Sequence, residues 1–456
     1  MKSTEPAAYA DVMDAVRAAP GHKVKLAVTD IDGILRGKYL HKDKFFSAAE
    51  AGFGFCSVVF GWDAADATYD NAGFTGWHTG FPDALARIDH TTFRRVPWDD
   101  DVPFFLADFV DGAGEPLAVC PRQVLKRVMK RATELGFQPM CGMEFEWFNF
   151  RETPQSLADK HYVQPEPLTP GMFGYSLLRA NQSREFFKAL MDELAAFDVP
   201  LEALHTETGP GVFEGAILYT EALEAADRAV LFKSAVKEIG YRFGIMPSFM
   251  AKWSAQYPGC SGHVHQSLSN GERNVFFDAD DGNGMSAIFK SYLAGQLQVL
   301  PELMPMYAPT INSYKRLVDG FWAPVKPTWG IDNRTASFRV IPGSAKSTRV
   351  ETRCPGADAN PYLAMAACIA AGLYGIERGL ALNEPPIQGE NQNTEHIARL
   401  PRTLQESTAR FKQSSIAREL FGAAFVDHFA ATREWEWRQF QDAVTDWETK
   451  RYFEII

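Results

Sequence analysis

Residues 142–148 read Gly-Met-Glu-Phe-Glu-Trp-Phe, and this stretch decides how the surrounding chain folds. It lies inside an apolar run, 138–150, that predicts a β-strand. Side chains two positions apart share one face of a strand, so Glu144 and Glu146 project together while Phe145 can enter a core. Neighbouring carboxylates repel each other unless cations neutralise them. The stretch therefore predicts a cation site, with a solvated strand face as the alternative.

A second acidic segment begins at His205, where the chain reads His-Thr-Glu-Thr-Gly-Pro-Gly-Val-Phe-Glu. Its Gly-Pro-Gly turn separates Glu207 from Glu214, and a hairpin at this turn would bring the two carboxylates together. A surface turn without a functional role is the alternative interpretation of this segment.

Residues 261–267 read Ser-Gly-His-Val-His-Gln-Ser, which places His263, His265 and Ser267 on one face of a strand. A His-x-His pair is typical of zinc sites, but the chain has no Cys-x-x-Cys pair to complete one. With glutamates supplied by the other segments, a site for a hard cation such as Mg²⁺ or Mn²⁺ is the better interpretation.

Basic residues cluster in the later β-rich part of the chain, with Glu351 embedded among them. The cluster comprises Arg316, Arg334, Arg339, Lys346, Arg349 and Arg353. Such a platform suits the recognition of carboxylates and phosphates through paired N–H donors, and surface salt bridges are the alternative. Carboxylates that gather divalent cations, together with arginines, indicate phosphoryl transfer. The sequence has no Gly-x-x-x-x-Gly-Lys-Ser/Thr loop, so a P-loop does not hold the nucleotide.

The composition excludes several other classes of protein. Of the 456 residues, 46% are hydrophobic, which is enough for a large core and too many for a disordered chain. The formal net charge of −11 argues against nucleic acid or an anionic membrane as the main partner. The longest uncharged apolar stretch, 363–376, is too short to span a bilayer, and the first residues lack a secretory signal. The six scattered cysteines are typical of a reducing compartment, so we expect a cytoplasmic enzyme.

The N-terminal part is predicted to be a small β-rich unit. A strand at 25–31 and a returning strand at 34–40 flank an Asp-Gly turn, which is a hairpin signal. A third β-rich run covers 56–60, and the Gly- and Pro-rich stretch 68–98 predicts loops and short strands.

The rest of the chain is predicted to be a large α+β unit. Beyond Pro121, helical spacing of apolar residues alternates with strands, and helices are predicted from residue 359 to the C-terminus. The boundary is expected between 105 and 120, which gives units of 1–112 and 113–456.

The turn between the first two strands allows a rival interpretation. The stretch from Val28 to Gly33 reads Val-Thr-Asp-Ile-Asp-Gly and resembles the Asp-x-Asp-Gly nucleophile loop of haloacid-dehalogenase-type phosphatases. Those enzymes continue into a helix of a parallel α/β unit, whereas 34–40 predicts a hairpin strand here. This interpretation also leaves the acidic, histidine and arginine segments unexplained, so we do not favour it.

Taken together, the motifs resemble those of the glutamine synthetase family over nearly the whole chain. They occur in the family's order, as Glu-x-Glu at 144–146, Glu-x6-Glu at 207–214, Ser-Gly-His-x-His-Gln-Ser-Leu at 261–268, Asn-Ser-Tyr-Lys-Arg-Leu at 312–317, Asn-Arg-x-Ala-Ser-x-Arg at 333–339 and Arg-Cys-Pro-Gly-Ala-Asp-Ala-Asn-Pro-Tyr-Leu at 353–363. The resemblance implies a small N-terminal β-grasp domain and a large C-terminal catalytic domain with an antiparallel sheet and helices. It also implies a dodecamer of two hexameric rings with active sites between neighbouring subunits.

The resemblance implies a role for each position that matches a motif. One divalent ion would be held by Glu146, Glu207 and Glu214, and another by Glu144, His263 and Glu351. The nucleotide would be bound by His265, Ser267, Arg339, Lys346 and Arg349. The glutamate substrate would be bound by Arg316, Arg353 and Gly259. The catalytic residues would be Arg334, Glu146 and Asp63.

The implied reaction uses ATP as co-substrate and two to three Mg²⁺ or Mn²⁺ ions in each active site. ATP phosphorylates the γ-carboxylate of L-glutamate, and an amine then attacks the γ-glutamyl phosphate to give an amide. A carboxylate is a poor acyl donor because its leaving group would be oxide, and phosphorylation supplies a good one. The ions and Arg334 would neutralise the charge on the transferred phosphate.

The chain departs from the family's pattern around the expected ammonia site. The flexible-loop glutamate that follows the arginine equivalent to Arg316 by six residues is Trp322 here, and the usual glutamine of the glycine-rich turn is Val212. The ammonium-site aspartate of the neighbouring subunit most nearly matches Asp63, which follows Trp62 and would take the amine proton. The apolar side chains in this region predict a pocket for an amine with a carbon substituent, formed by Trp62, Trp322 and Val212. Burial of the hydrocarbon would stabilise the bound amine by roughly 25 cal/mol per Å² of apolar surface.

We therefore expect a γ-glutamyl-amine ligase that acts on a small alkyl or aryl amine, with loop packing as the alternative role of the aromatic residues. Ordinary glutamine synthesis with ammonia stays open. So does ligation of a diamine or polyamine, for which Asp66 and Asp70 would line the outer pocket. A catalytically silent scaffold is disfavoured because it has no need for complete sets of metal and arginine positions.

Overall fold

The N-terminal part folds around a five-stranded sheet. The structure, a computed structural model, describes residues 8–390 and 394–456. The elements of this part are α1 (Tyr9–Ala18), β1 (Lys23–Thr29), β2 (Leu35–His41), α2 (Lys42–Ala51), β3 (Phe53–Cys56), a 3₁₀ turn (Ser57–Phe60), β4 (Asp83–Val96) and β5 (Val102–Val110). The strand order is β2-β1-β5-β4-β3, with β1 and β5 parallel and the other neighbours antiparallel. The predicted hairpin is confirmed, since β1 and β2 pair antiparallel along their full length.

Two predictions for this part of the chain are wrong. The run 56–60 is not a strand, because β3 ends at Cys56 and the chain continues as the 3₁₀ turn. Within 68–98, where loops and short strands were expected, β4 extends over 14 residues. A bulge after Asp89, where the Thr92 hydroxyl donates to the Asp89 carbonyl oxygen at 2.6 Å, breaks the alternation that would reveal this strand in the sequence.

The remainder of the chain is built on a nine-stranded sheet. Its strands are β6 (Gln138–Phe150), β7 (Leu201–Thr206), β8 (Val212–Ile217), β9 (Thr220–Glu221), β10 (Met246–Ser248), β11 (Gly262–Ser269), β12 (Trp329–Ile331), β13 (Phe338–Ile341) and β14 (Arg349–Thr352). The main order is β12-β13-β14-β11-β6-β8-β7, and β9 and β10 also pair with β6. All pairs are antiparallel except β12 with β13.

Helices make up much of the rest of this part of the chain, as far as residue 452. They are α3 (Pro121–Glu134), α4 (Pro154–Asp159), α5 (Leu177–Gln182), α6 (Arg184–Ala196), α7 (Ala222–Arg242), α8 (Ala287–Tyr307), α9 (Ser313–Arg316), α10 (Pro361–Glu377), α11 (Leu404–Gln413), α12 (Ser415–Phe421), α13 (Ala423–Asp442) and α14 (Asp446–Tyr452). Among the described residues, none of these helices is long and apolar enough to cross a membrane. The molecule is an α+β protein, as predicted, but the larger sheet is not purely antiparallel as expected, because β12 and β13 are parallel.

Strand β6 lies at the centre of the larger sheet and has a core side and an open side. On the core side, Phe145 stacks on Phe232 of α7 with ring centroids 5.8 Å apart, and Trp147 meets the same ring edge-on. The apolar helix α10 packs behind them against α3, α7 and α8 and is buried along nearly its whole length. Because alternate side chains of β6 fill this core, the residues between them are directed to the open side.

A buried ionic network around Arg122, at the start of α3, links the two parts of the chain. Its guanidinium donates to both carboxylate oxygens of Asp227 on α7 at 2.8 Å each. It also donates to Asp108 on β5 at 2.8 Å and to Asp89 on β4 at 2.9 Å. The division predicted at residue 112 lies between β5 and α3, so this network crosses it. The division into two domains stays a prediction.

Candidate active site

Strand register brings predicted metal-binding residues into one row on the open side of the sheet. Residues directly opposite on neighbouring strands point to the same face. His263 on β11 lies opposite Glu144 on β6, and Glu214 on β8 lies opposite Glu146. The hairpin between β7 and β8 brings Glu207 and Glu214 together, as the turn in the sequence predicts.

The row opens into a cavity of about 520 Å³ that combines both predicted sets of charged residues. Its lining contains both acidic and basic residues, namely Glu144, Glu146, Glu207, Glu214, Glu351, His263, Arg316, Arg334, Arg339 and Arg353. We call this space the acidic cavity. Because these residues come from five different strands, helix α9 and several loops, a solvated strand face and scattered surface salt bridges do not describe them.

Three carboxylates, those of Glu146, Glu207 and Glu214, form one candidate metal group, with one oxygen of each within 4.8 Å of the others. Burial raises the pKa of Glu207, and the charge of Glu146 raises it further. Burial, together with the hydrogen bond and charge of Glu144, raises the pKa of Glu214 to about 11. The Ser261 N–H donates to Glu146 at 2.8 Å and orients that carboxylate.

A second candidate group consists of Glu144, His265 and Glu351, with one ligand atom of each within 4.8 Å of the others. His265 Nε2 lies 3.0 Å from a Glu144 oxygen. The predicted ligand His263 also reaches this group, since its Nδ1 lies 3.0 Å from Glu351 and 3.8 Å from Glu144. Against the effect of burial, hydrogen bonds from the two histidines hold the pKa of Glu144 well below its usual range. The metal role of His263 and the nucleotide role of His265 stay predictions.

The donor set fits hard divalent cations. Within the described part of the chain, none of Glu146, Glu207 and Glu214 makes an ion pair with a lysine or arginine. Three carboxylates this close repel one another, so a divalent cation that binds among them stabilises the group. Oxygen-rich sets with one or two imidazoles are typical of Mg²⁺ and Mn²⁺ sites rather than of structural zinc sites.

The two arginines predicted to bind glutamate are buried, and each is fixed by other groups of the protein. Arg316 Nη2 donates to the carbonyl oxygens of Arg353 at 3.3 Å and Pro355 at 3.0 Å, and Arg353 pairs with Glu351. The Nε atoms of both arginines are buried and have no partner among the described residues. Gly259 packs directly on Arg316, because a Cβ there would lie 2.6 Å from Arg316 Cγ. Buried N–H donors without partners suit a carboxylate ligand.

The other two arginines of the acidic cavity differ in their partners. Arg339 is held by Asp332, with Nε to Oδ1 at 2.9 Å, and by Glu351 at 3.0 Å. Arg334 has no hydrogen-bond or ion-pair partner for its side chain in residues 8–390 and 394–456. Arg334 is therefore available to a ligand, as its predicted role against a phosphoryl group requires.

Four of the five predicted nucleotide-binding residues line a second cavity of about 420 Å³. They are His265, Ser267, Lys346 and Arg349, whereas Arg339 lines the acidic cavity. Arg349 Nε donates to His265 Nδ1 at 3.1 Å, so the ring proton lies on Nε2 and faces Glu144. Glu144 lines both cavities, which therefore adjoin at one carboxylate.

An aromatic loop closes one wall of the acidic cavity. Phe321 and Trp322 both line it, and Lys252 Nζ lies 4.3 Å from the centroid of the Phe321 ring as a cation–π contact. Trp322 adopts a left-handed backbone with φ of 60° and is 61% exposed. The loop is anchored by the Gly320 N–H, which donates to Glu390 at 2.9 Å. Phe321 is thus the fixed ring of the wall and Trp322 the exposed one.

Sequence reasoning missed Tyr175, which lines the acidic cavity beside Glu207. Its ring stacks on His205 with centroids 4.4 Å apart, and its N–H donates to the Thr206 carbonyl oxygen at 2.7 Å. Burial and the charge of Glu207 raise the pKa of the Tyr175 hydroxyl. The segment around it has no strand or helix pattern, so only its position near the acidic hairpin could have indicated it.

Three residues predicted around the amine do not line the acidic cavity. The prediction that Val212 lines the amine pocket is corrected, because its side chain is buried in the apolar core opposite Phe148 of β6. Trp62 and Asp63 lie in the loop after the 3₁₀ turn, and the Arg36 guanidinium covers the Trp62 ring at 4.8 Å. The roles predicted for Trp62 and Asp63 require a neighbouring subunit and stay predictions.

Comparison with known proteins bears on the same segments. Residues 118–452 match the family model described as the glutamine synthetase catalytic domain. The chain is 55% identical to type-1 glutamine synthetase 2 of Dictyostelium discoideum over 98% of this chain and 86% of that protein. It is 37% identical to the glutamate–isopropylamine ligase of a Pseudomonas species over 95% of each chain. A solved GmaS/ADP complex superposes with a TM-score of 0.84 and 27% identity, over 97% of this chain and 99% of that one.

Proposed function

The chain belongs to the glutamine synthetase family, whose members are carbon–nitrogen ligases, and on that premise we propose that it joins the γ-carboxylate of L-glutamate to a small organic amine. ATP is the phosphoryl donor, and ADP and phosphate are released. The observation that carries this proposal is the aromatic pair Phe321 and Trp322 in the wall of the acidic cavity, where the family resemblance implies a carboxylate. The isopropylamine in the name of the Pseudomonas relative supports an alkyl amine.

In the first step, the γ-carboxylate of glutamate attacks the terminal phosphorus of ATP, ADP leaves, and γ-glutamyl phosphate forms. The N–H donors of Arg316 and Arg353 bind the α-carboxylate of the substrate. Arg334, which has no partner in the described part of the chain, lies against the transferred phosphoryl group and stabilises its charge. Two to three Mg²⁺ or Mn²⁺ ions, held by the two carboxylate groups, would supply charge neutralisation for the phosphates.

In the second step, the amine nitrogen attacks the γ-carbonyl carbon, phosphate leaves, and the amine loses a proton. We assign that proton to Asp63 of a neighbouring copy, because Asp63 does not line the acidic cavity of its own chain. This assignment requires the inter-subunit sites of the dodecamer that the family resemblance implies. Exclusion of water by Phe321 and Trp322 would protect the acyl phosphate from hydrolysis.

If the second cavity binds the nucleotide, a substitution there should change KM for ATP much more than KM for glutamate. Arg349→Gln removes the cation of the second cavity that contacts His265, so we expect KM for ATP to rise about tenfold and KM for glutamate to change less than about twofold. Steady-state kinetics with one substrate varied at a time measures both constants. Arg410→Gln, at an exposed position of α11, is the matched control and leaves both unchanged. Equal changes in the two KM values would contradict the assignment.

Phosphate release from ATP and glutamate, measured with a panel of amines, tests the proposed function. The panel contains ammonia, isopropylamine, ethanolamine, benzylamine and a diamine. We expect kcat/KM for at least one monoamine to exceed that for ammonia. Turnover with ammonia above that with every organic amine would overturn the proposal, and turnover that favours the diamine would assign the polyamine reaction instead.

The aromatic wall gives a variant that should shift the preference for the amine. Trp322→Glu places a carboxylate at the cavity wall, where it stabilises a small ammonium ion and removes apolar contact with an alkyl group. We expect the ratio of kcat/KM for ammonia to that for the best organic amine to rise about tenfold or more. Trp322→Phe, the control, should keep the preference of the parent enzyme. An unchanged ratio in Trp322→Glu would show that this ring does not contact the amine.

Glutamine synthesis is the second candidate function, because the Dictyostelium relative named a glutamine synthetase is 55% identical to this chain. In that case ammonia replaces the organic amine and the same carboxylates and arginines act in the same steps. The amine panel separates the two functions directly.

A further inference from the structure

We infer that Trp435 is a positioning residue that holds Asp63 in place for the second step. This inference rests on the proposed function, in which Asp63 accepts the proton of the attacking amine. The indole Nε1 of Trp435, on α13, donates to Asp63 Oδ2 at 3.1 Å. This bond joins the N-terminal part of the chain to a helix near its C-terminus.

The two oxygens of Asp63 have different tasks. Oδ1 accepts from the N–H groups of Ala65 at 2.8 Å and Ala67 at 2.9 Å, which closes the loop on its own aspartate. Oδ2 has only the Trp435 indole as partner within the described residues. A carboxylate oxygen has two lone pairs, so Oδ2 can accept from the indole and still face an amine N–H. The indole bond therefore fixes which way the free lone pair points.

The loop is also fastened to α13 by contacts that do not involve the indole N–H. The Tyr69 ring meets the Trp435 ring edge-on at 6.0 Å, and Asn71 Nδ2 donates to the Ala431 carbonyl oxygen at 2.8 Å. Arg438 pairs with Asp70, with Nη1 to Oδ2 at 3.1 Å. These contacts remain when the indole N–H is removed. The orientation of the Asp63 carboxylate can therefore be changed while the loop stays attached to α13.

Positioning matters here because proton transfer needs heavy atoms within hydrogen-bond reach, and small displacements of a catalytic group are costly. The first step does not use Asp63, so a change in the orientation of its carboxylate should affect only the second step. In the absence of an amine, γ-glutamyl phosphate can be attacked by its own α-amino group, which forms a cyclic amide and releases phosphate. Phosphate release with and without an amine therefore separates the two steps.

Trp435→Phe in the full-length protein is the test variant. Phenylalanine keeps an aromatic ring beside Tyr69 and beneath the Arg438 guanidinium, 5.3 Å from the ring, and removes the N–H donor. We expect amine-dependent turnover to fall about tenfold, which is the loss of one hydrogen bond to a charged group, while amine-independent phosphate release stays unchanged. Arg438→Gln, which removes an ion pair of the same loop, is the control and should change neither.

A second variant keeps the inference falsifiable through a double-mutant cycle. Asp63→Asn should lose most amine-dependent turnover, and adding Trp435→Phe to it should cause no further loss. Independent losses in the cycle, an equal fall in both phosphate assays, or full activity of Trp435→Phe would each overturn the inference. If the parent enzyme shows no amine-dependent turnover, the proposed function itself fails, which is a result distinguishable from these.

Discussion

Glu146→Gln is expected to lower amine-dependent phosphate release by roughly a thousandfold and, in the same protein, to raise the melting temperature of the metal-free form by a few degrees. Activity falls because the candidate metal group of Glu146, Glu207 and Glu214 loses one of its charges. Stability rises because the charge of Glu146 is one of the causes that raise the pKa of both neighbours, and glutamine removes that repulsion. A substitution that lowers activity and raises stability is typical of a residue selected for function.

Thermal unfolding with and without MnCl₂, together with the phosphate assay, measures both effects. The parent protein should gain stability on addition of Mn²⁺, and the variant should gain much less. Glu166→Gln, at an exposed carboxylate, is the control and should change neither activity nor stability. A Glu146→Gln protein that is active and less stable without metal would contradict a metal role for this group.

Arg122→Met is expected to destabilise the protein by about 3–5 kcal/mol, the largest effect on stability that we predict. The substitution replaces a buried cation with an uncharged side chain of similar volume. It leaves Asp227, Asp108 and Asp89 without their shared partner. Although burial favours its protonated form, the charges of Arg122 and Lys126 hold the pKa of Asp89 well below its usual range. This part of the stability is therefore complete above a pH of about 4, the value of an unfolded aspartate, and is lost as the pH falls through the lower folded pKa.

The midpoint of urea-induced unfolding, measured at pH 7 and at about pH 2.5, checks this prediction. The parent protein should lose stability between the two values, and Arg122→Met should lose less because its network is already broken. Lys126→Met, which removes a half-exposed partner of Asp89 and Asp108, should cost about 1 kcal/mol or less. If the Arg122 and Lys126 variants are equally stable, the network does not depend on its buried member.

Most of the charged site could be predicted from the sequence, because metal and arginine positions carry local motifs. The family resemblance based on them is confirmed by the match over 118–452. Cross-strand pairing then explains why segments as distant as 144–146 and 351 converge, since β6, β11 and β14 are neighbours in one sheet. Strand spacing predicts which residues share a face, and long-range pairing decides which faces meet.

Residues at the amine end were harder to predict, and for physical reasons. Val212 was placed in the pocket by its position in a motif, but its apolar side chain is buried in the core opposite Phe148. Tyr175 enters the acidic cavity from a segment without periodic pattern, through a left-handed backbone and a stack on His205. Such contacts depend on tertiary packing and leave no signal in residue spacing.

Because the single side chain of Glu144 stands between spaces of about 520 and 420 Å³, the two compartments are suited to one double-headed inhibitor. A compound with an amino-acid head and a phosphate-bearing head would place its second head at an effective concentration in the millimolar range once the first had bound. Its linker would pass beside Glu144 and should carry no negative charge at that point.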